Sequence, residues 1–134
     1  MTRFVVILCA AMMATSAIAQ AKPSLWSFPR VDQGLFDIGV AYGISENCSS
    51  LEERKIYGAS FALSLSNYAQ SQGYSFDEVR NFVRDDEEKA KLRVRVTKFL
   101  EDQGLDPSVP NALCDYGKDQ IAAETQVGKF LRKN

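Results

Sequence analysis

VDQGLFDIGVAYGISEN, residues 31–47, carries apolar side chains at helical spacing on more than one face. Leu35, Ile38 and Tyr42 form one stripe, and Phe36, Val40 and Ile44 widen it. Polar residues keep to a narrow row, Gln33, Asp37 and Ser45, with Ala41 between them. A helix that is apolar on most sides needs neighbours on most sides, so this one is expected at the centre of a bundle. Gly39 and Gly43 lie four apart and face one neighbour. Each costs roughly 1 kcal/mol of helix propensity relative to alanine, and the expected return is close backbone approach.

The segments that follow read as helices too. Ser49 with Glu52, or Ser50 with Glu53, fits a capping box, so a second helix is expected from there to about Gln72, stopped by Gly73. Its polar row, Ser60, Ser64, Asn67 and Ser71, holds no charge. That row is either a modest surface or a semi-buried contact for a partner helix. Opposite it stand Gly58, Ala62, Leu65 and Ala69. Ser75 and Glu78 form another capping box, for a short helix ending near Asp85 with Phe76, Val79, Phe82 and Val83 as its apolar face. KLRVRVT, residues 91–97, alternates like a strand. However, Leu92, Val96, Phe99 and Leu100 keep helical spacing, and no partner strand stands out. A helix to Gln103 with Gly104 as terminator is therefore expected. Asp106 to Pro110 reads as a rigid loop, and Asn111 to Leu131 as the last helix, with Leu113, Gly117, Ile121 and Gly128 in spacing.

Upstream, Ala21 to Arg30 holds two prolines and no helical period, and reads as an extended lead-in. On an extended chain Trp26 and Phe28 point the same way. They either dock on the bundle or serve as a partner-binding arm. Further back, Met1-Thr2-Arg3 is a short positive start, and Phe4 to Ile18 is apolar apart from Thr15 and Ser16. Ala17-Ile18-Ala19 is a small-x-small cleavage site before Gln20. This is the anatomy of a secretory signal peptide, too short and alanine-rich for a spanning helix. Cys9 would leave with it; the large Ile7 and Leu8 before it do not suit a lipid-anchored cysteine. The expected organisation is a cleaved signal over 1–19, a lead-in over 20–30 and one helical domain over 31–134.

Composition bounds the function. About 115 residues remain after cleavage, enough for one small core. The whole chain has 16 Lys+Arg against 17 Asp+Glu, and loses only Arg3 from that balance. A nearly neutral surface argues against a dedicated nucleic-acid or anionic-membrane binder. No second long apolar run is present, so no span is expected in the mature chain. The chain has no histidine, which removes Ser-His-Asp and Cys-His catalysis and histidine-held metals or haem.

Two clusters of reactive groups remain. Cys48 and Cys114 stand 66 residues apart, without CxxC spacing. A structural disulfide is expected, against the alternative of a reactive or metal-binding pair. Asp85, Asp86, Glu87 and Glu88 lack the spaced acids and central glycine of a calcium loop. They suit a helix start facing Lys89 and Lys91 better than a histidine-free carboxylate enzyme. Lys91, Arg95 and Lys98 share a face, with Arg84 as its candidate extension. That face is either solvated and paired with Glu87, Glu88 and Asp102, or a site for an acidic partner.

Several stretches carry a family resemblance. They are Gly34-Leu35-Phe36-Asp37-Ile38-Gly39-Val40 through Asn47-Cys48, Gly73-Tyr74-Ser75 with Glu78-Val79, and Asp86 with Glu88-Lys89-Ala90 and Arg93-Val94-Arg95. Cys114 followed by Gly117 and Ile121 completes the pattern. From about Val31 onward the chain resembles a family of small exported bacterial proteins, domain of unknown function 5333. The resemblance implies an exported helical domain with a Cys48–Cys114 bond and supplies no activity. The resulting expectation is an all-α bundle of four or five helices closed by one disulfide. It is expected to be periplasmic and non-enzymatic, binding no catalytic metal or cofactor. It would act as a binding or assembly module for another envelope protein, through a surface that includes Trp26, Phe28, Lys91, Arg95 or Lys98. The runner-up is an acid-protective periplasmic chaperone.

Overall fold

The computed structural model describes residues 20–134. The signal-peptide reading of residues 1–19, its cleavage site and Cys9 lie outside them. Six helices and one two-stranded ribbon make up the described chain. They are α1 (Pro29–Asn47), α2 (Lys55–Ser71), α3 (Phe76–Arg84), α4 (Asp86–Asp102), α5 (Cys114–Ala122) and α6 (Gln126–Lys129). The ribbon pairs β1 (Leu51–Glu53) with β2 (Leu131–Lys133), antiparallel, Leu51 opposite Lys133 and Glu53 opposite Leu131.

Helix α1 is central: it packs against α2, α4, α5, α6 and β1. The Gly39 and Gly43 face meets one neighbour, α4. A Cβ on Gly39 would lie 3.0 Å from Val96, and one on Gly43 would lie 3.7 Å from Val96 and 3.8 Å from Leu100. The rows of α1 are rotated from the expected ones. Ala41, expected in the polar row, is buried with Val40 and Ile44, while Tyr42 is 53% exposed. On a helix surrounded on most sides, the positions of α5, α6 and the ribbon decide which row is covered, and spacing within α1 does not reveal them.

The lead-in is not extended. Leu25–Ser27 form a 3₁₀ turn capped by Ser24, with Leu25 buried, and α1 begins at Pro29. The turn sends the two rings to different neighbours. Trp26 meets Phe82 edge-on at 5.1 Å, and Phe28 meets Tyr74 at 5.8 Å and Tyr68 at 6.4 Å.

The expected capping box at Ser49–Glu53 does not form. Leu51–Glu53 are strand β1, and α2 starts at Lys55 without a side-chain cap. Ser49 donates its amide and hydroxyl to Asn111 Oδ1, and Leu51 sits in the core. The Arg54 amide donates to the Phe130 carbonyl, so the competitor that won is a pairing with the distant C-terminal segment.

The single helix expected over 111–131 is broken as well. Asn111 (φ 61°) and Glu124 (φ 51°) take left-handed conformations, and Thr125 caps α6 by accepting the Gly128 amide at 3.0 Å. By contrast, α3 and α4 form where expected. The Ser75–Glu78 capping box is present, Asp85 caps α4 through the Glu88 amide, and Gly73 and Gly104 end α2 and α4 at positive φ. The apolar face expected for α3 is only partly used, since Val79 is buried and Phe76 and Val83 are exposed.

Cys48 and Cys114 are bonded, with Cα atoms 5.1 Å apart, tying the end of α1 to the start of α5. Asn47 holds the connecting loop in place. Its Nδ2 donates to the carbonyls of Pro107 (3.0 Å) and Val109 (2.6 Å), and its Oδ1 accepts the Leu113 amide at 2.7 Å. Among the described residues, no helix is long and apolar enough to cross a membrane.

Candidate functional site

Three of the four carboxylates from Asp85 to Glu88 are taken up by local roles. Asp85 caps α4, Asp86 pairs with Lys89 at 2.6 Å, and Glu88 pairs with Lys91 at 2.7 Å and accepts the Trp26 indole N–H. Among the described residues, no three histidine, cysteine or carboxylate side chains converge as a metal site. The basic row is engaged too. Arg95 forms a two-pronged pair with Asp32 and lies over the rings of Trp26 and Phe36, while Lys98 pairs with Asp102. Trp26, Lys91 and Arg95 thus come together along α4; Phe28 is on the far side of the lead-in turn, against Tyr68 and Tyr74.

The lead-in is clasped by charge. Lys22 pairs with Glu78 at 2.8 Å, and the Tyr74 hydroxyl donates to the Pro23 carbonyl. The Lys22 hydrogen bond holds the Glu78 carboxyl below its usual value, and Lys91, then Trp26, do the same for Glu88. A depressed carboxyl stabilises the fold above its unfolded pKa, and that contribution is lost as pH falls through the lower folded value. The clasp is therefore expected to survive down to the ordinary glutamate range near pH 4.3 and to open only below it. Fluorescence of Trp26, the sole tryptophan, should move to longer wavelength below about pH 4 and stay constant from pH 5 to 7. A transition centred near neutrality would contradict the clasp.

Among the described residues, a groove of about 1130 Å³ runs over α1 between α2 and α4. Its floor is Leu35, Ile38, Gly39, Tyr42 and Gly43. One wall is Lys55, Gly58, Ala59 and Ala62 of α2; the other is Lys89, Leu92, Arg93 and Val96 of α4. Outside the lining, α2 also carries two exposed apolar side chains, Ile56 (89% exposed) and Leu63 (57%), and it has no charge after Lys55. Large exposed apolar side chains beside an apolar groove favour a binding surface.

Gly58 is the most telling residue on that wall. A Cβ there would meet nothing within 4 Å, and its φ is not in the left-handed range. Among the described residues, nothing requires glycine at this position. Gly58→Ala is expected to stabilise the free protein by about 0.5–1 kcal/mol, a rise of a few degrees in Tm by calorimetry. A loss of stability would show an internal need for the glycine.

The rim is cationic in a chain of slightly negative charge. Lys89 and Arg93 stand one turn apart near the start of α4, and Arg54 and Lys55 lie at the start of α2. Glu46 and Glu53 line the groove at this second end. Arg93 and Lys55 form no ion pair among the described residues, while Arg54 donates to the Lys129 carbonyl and lies over Tyr57. From the sequence, Gly39, Gly43 and Gly58 were visible as small residues. That they border one groove depends on α2 and α4 both flanking α1 and leaving it uncovered.

A family model described as a family of unknown function, DUF5333, matches residues 23–132. No curated protein matches the chain, and no solved structure does.

Proposed function

We propose, for a chain that belongs to the family of unknown function DUF5333, that its role is non-enzymatic binding in the cell envelope through the groove between α2 and α4. The observation that carries this reading is the apolar groove itself, floored by α1 and bordered by a glycine the fold does not need. Pockets between helices of a bundle, mostly apolar with a few placed charges, are common ligand sites. Envelope location is supported by the signal-like start and by the Cys48–Cys114 bond, a linkage that persists in oxidising compartments. The expected chain in an envelope fraction begins at Gln20, as read by mass spectrometry.

Nile red, an uncharged apolar dye, tests the groove. The mature protein should bind it saturably at one site, and Ala62→Arg, which projects a charge from the exposed α2 wall, should weaken binding at least about ten-fold. Absent saturable binding, or binding unchanged in Ala62→Arg with its fold intact, would refute the groove as the functional element.

A further inference from the structure

The charges around the groove are unevenly placed. At the end bordered by the start of α4, Lys89 and Arg93 project from consecutive turns above Leu35, Ile38 and Leu92, and no carboxylate lines the groove there. Asp86, Lys89's partner at 2.6 Å, is almost fully exposed and outside the lining, and Arg93 is unpaired among the described residues. The opposite end holds Glu46 and Glu53 beside Arg54 and Lys55. Between the two ends the lining is largely aliphatic and small, Ile38, Gly39, Gly43, Gly58, Ala59 and Ala62. From Lys89 to Leu100, α4 extends about 16 Å at its rise per residue.

Resting on the binding role proposed above, we infer that the groove takes a long-chain carboxylate. Its carboxylate meets Lys89 and Arg93, and its acyl chain lies along α1 between α2 and α4. The ligand class follows from complementarity. An aliphatic trough suits an acyl chain, and a pair of cations at one end suits a single anionic head. The two carboxylates at the other end set the direction, because a ligand lying the other way would bring its head beside Glu46 and Glu53. Gly58 keeps the wall low where the chain passes. A guanidinium gives Arg93 a two-pronged grip on a carboxylate that lysine lacks.

The test uses the mature protein, Nile red as reporter, and displacement by laurate, dodecanol and dodecyltrimethylammonium, each below its micellar concentration. Laurate should displace the dye at least about ten-fold more tightly than either other amphiphile, and less tightly as salt is raised. Lys89→Gln with Arg93→Gln should lower laurate affinity at least about ten-fold more than it lowers dodecanol affinity. Both sites are exposed helix positions, so folding is preserved, and circular dichroism verifies it. Equal displacement by laurate and dodecanol, or a laurate affinity unmoved by the double substitution, would overturn the carboxylate claim and leave the groove reading standing. Failure of Nile red to bind saturably would overturn both.

Discussion

A chain of residues 20–134 carrying Cys114→Ser is expected to unfold about 15–25 °C below the parent. Cys48 and Cys114 are 66 residues apart, and opening so large a loop returns to the unfolded chain roughly 4 kcal/mol of closure entropy. For a domain of this size each kcal/mol moves Tm by several degrees. The bond also sits beside a stretch that lacks helix. The stretch between α4 and α5 has no long helix, and it is held by the Asn47 side chain and by Asn111 in a left-handed conformation. Thermal circular dichroism of the variant, and of the parent with reductant, should give the same lowered transition. A shift of only a few degrees would mean that Asn47 and the surrounding core, not the bond, hold α5 against α1.

Gly128→Ala is the second large effect. A Cβ on Gly128 would lie 2.0 Å from the Gln120 carbonyl oxygen and 2.4 Å from its carbon, and both are backbone atoms. No side chain can swing aside, so the α5–α6 junction must open. That junction sets the path of buried Phe130 and of Leu131, the buried first residue of β2. The expected loss is about 3 kcal/mol or more, seen as a lowered denaturant midpoint, with faster exchange of the Arg54 amide that Phe130 accepts. The contrast with Gly58→Ala is diagnostic: the same substitution has opposite signs, because one site has backbone at contact distance and the other has open space.

Legibility in the sequence followed the range of the interactions. Ser75 with Glu78, Asp85 before Glu88, and the glycines at 73 and 104 are local signals, satisfied within one turn, and α3 and α4 form where those signals place them. Ser49 and Ser50 carry an equally good local signal and do not cap a helix. Asn111 takes Ser49, and Leu51 to Glu53 pair with Leu131 to Lys133, about eighty positions away. No reading of periodicity includes that partner. The break at Glu124 and Thr125 was partly visible, since threonine is a favoured cap. The helical spacing of Ile121, Gly128 and Leu131 hid it. The disulfide was legible because only two cysteines lie beyond the leader-like segment. The groove was half legible. Small residues on α1 and the absence of charge along α2 are visible in the chain, but an uncovered face is defined by the elements that fail to cover it.

Ligand is proposed to enter between α2 and α4. Amide correlation spectra of the isotope-labelled mature protein, titrated with laurate below its micellar concentration, test it directly. Glycine amides are convenient reporters, because Gly39, Gly43 and Gly58 line the groove while Gly73 and Gly104 sit in turns outside it. Progressive, saturable shifts are expected at Gly39, Gly43, Gly58 and Ala62, with Gly73, Gly104 and the Trp26 indole unmoved. Shifts confined to the Trp26 indole and its neighbours Lys91 and Arg95, with the groove glycines silent, would contradict it.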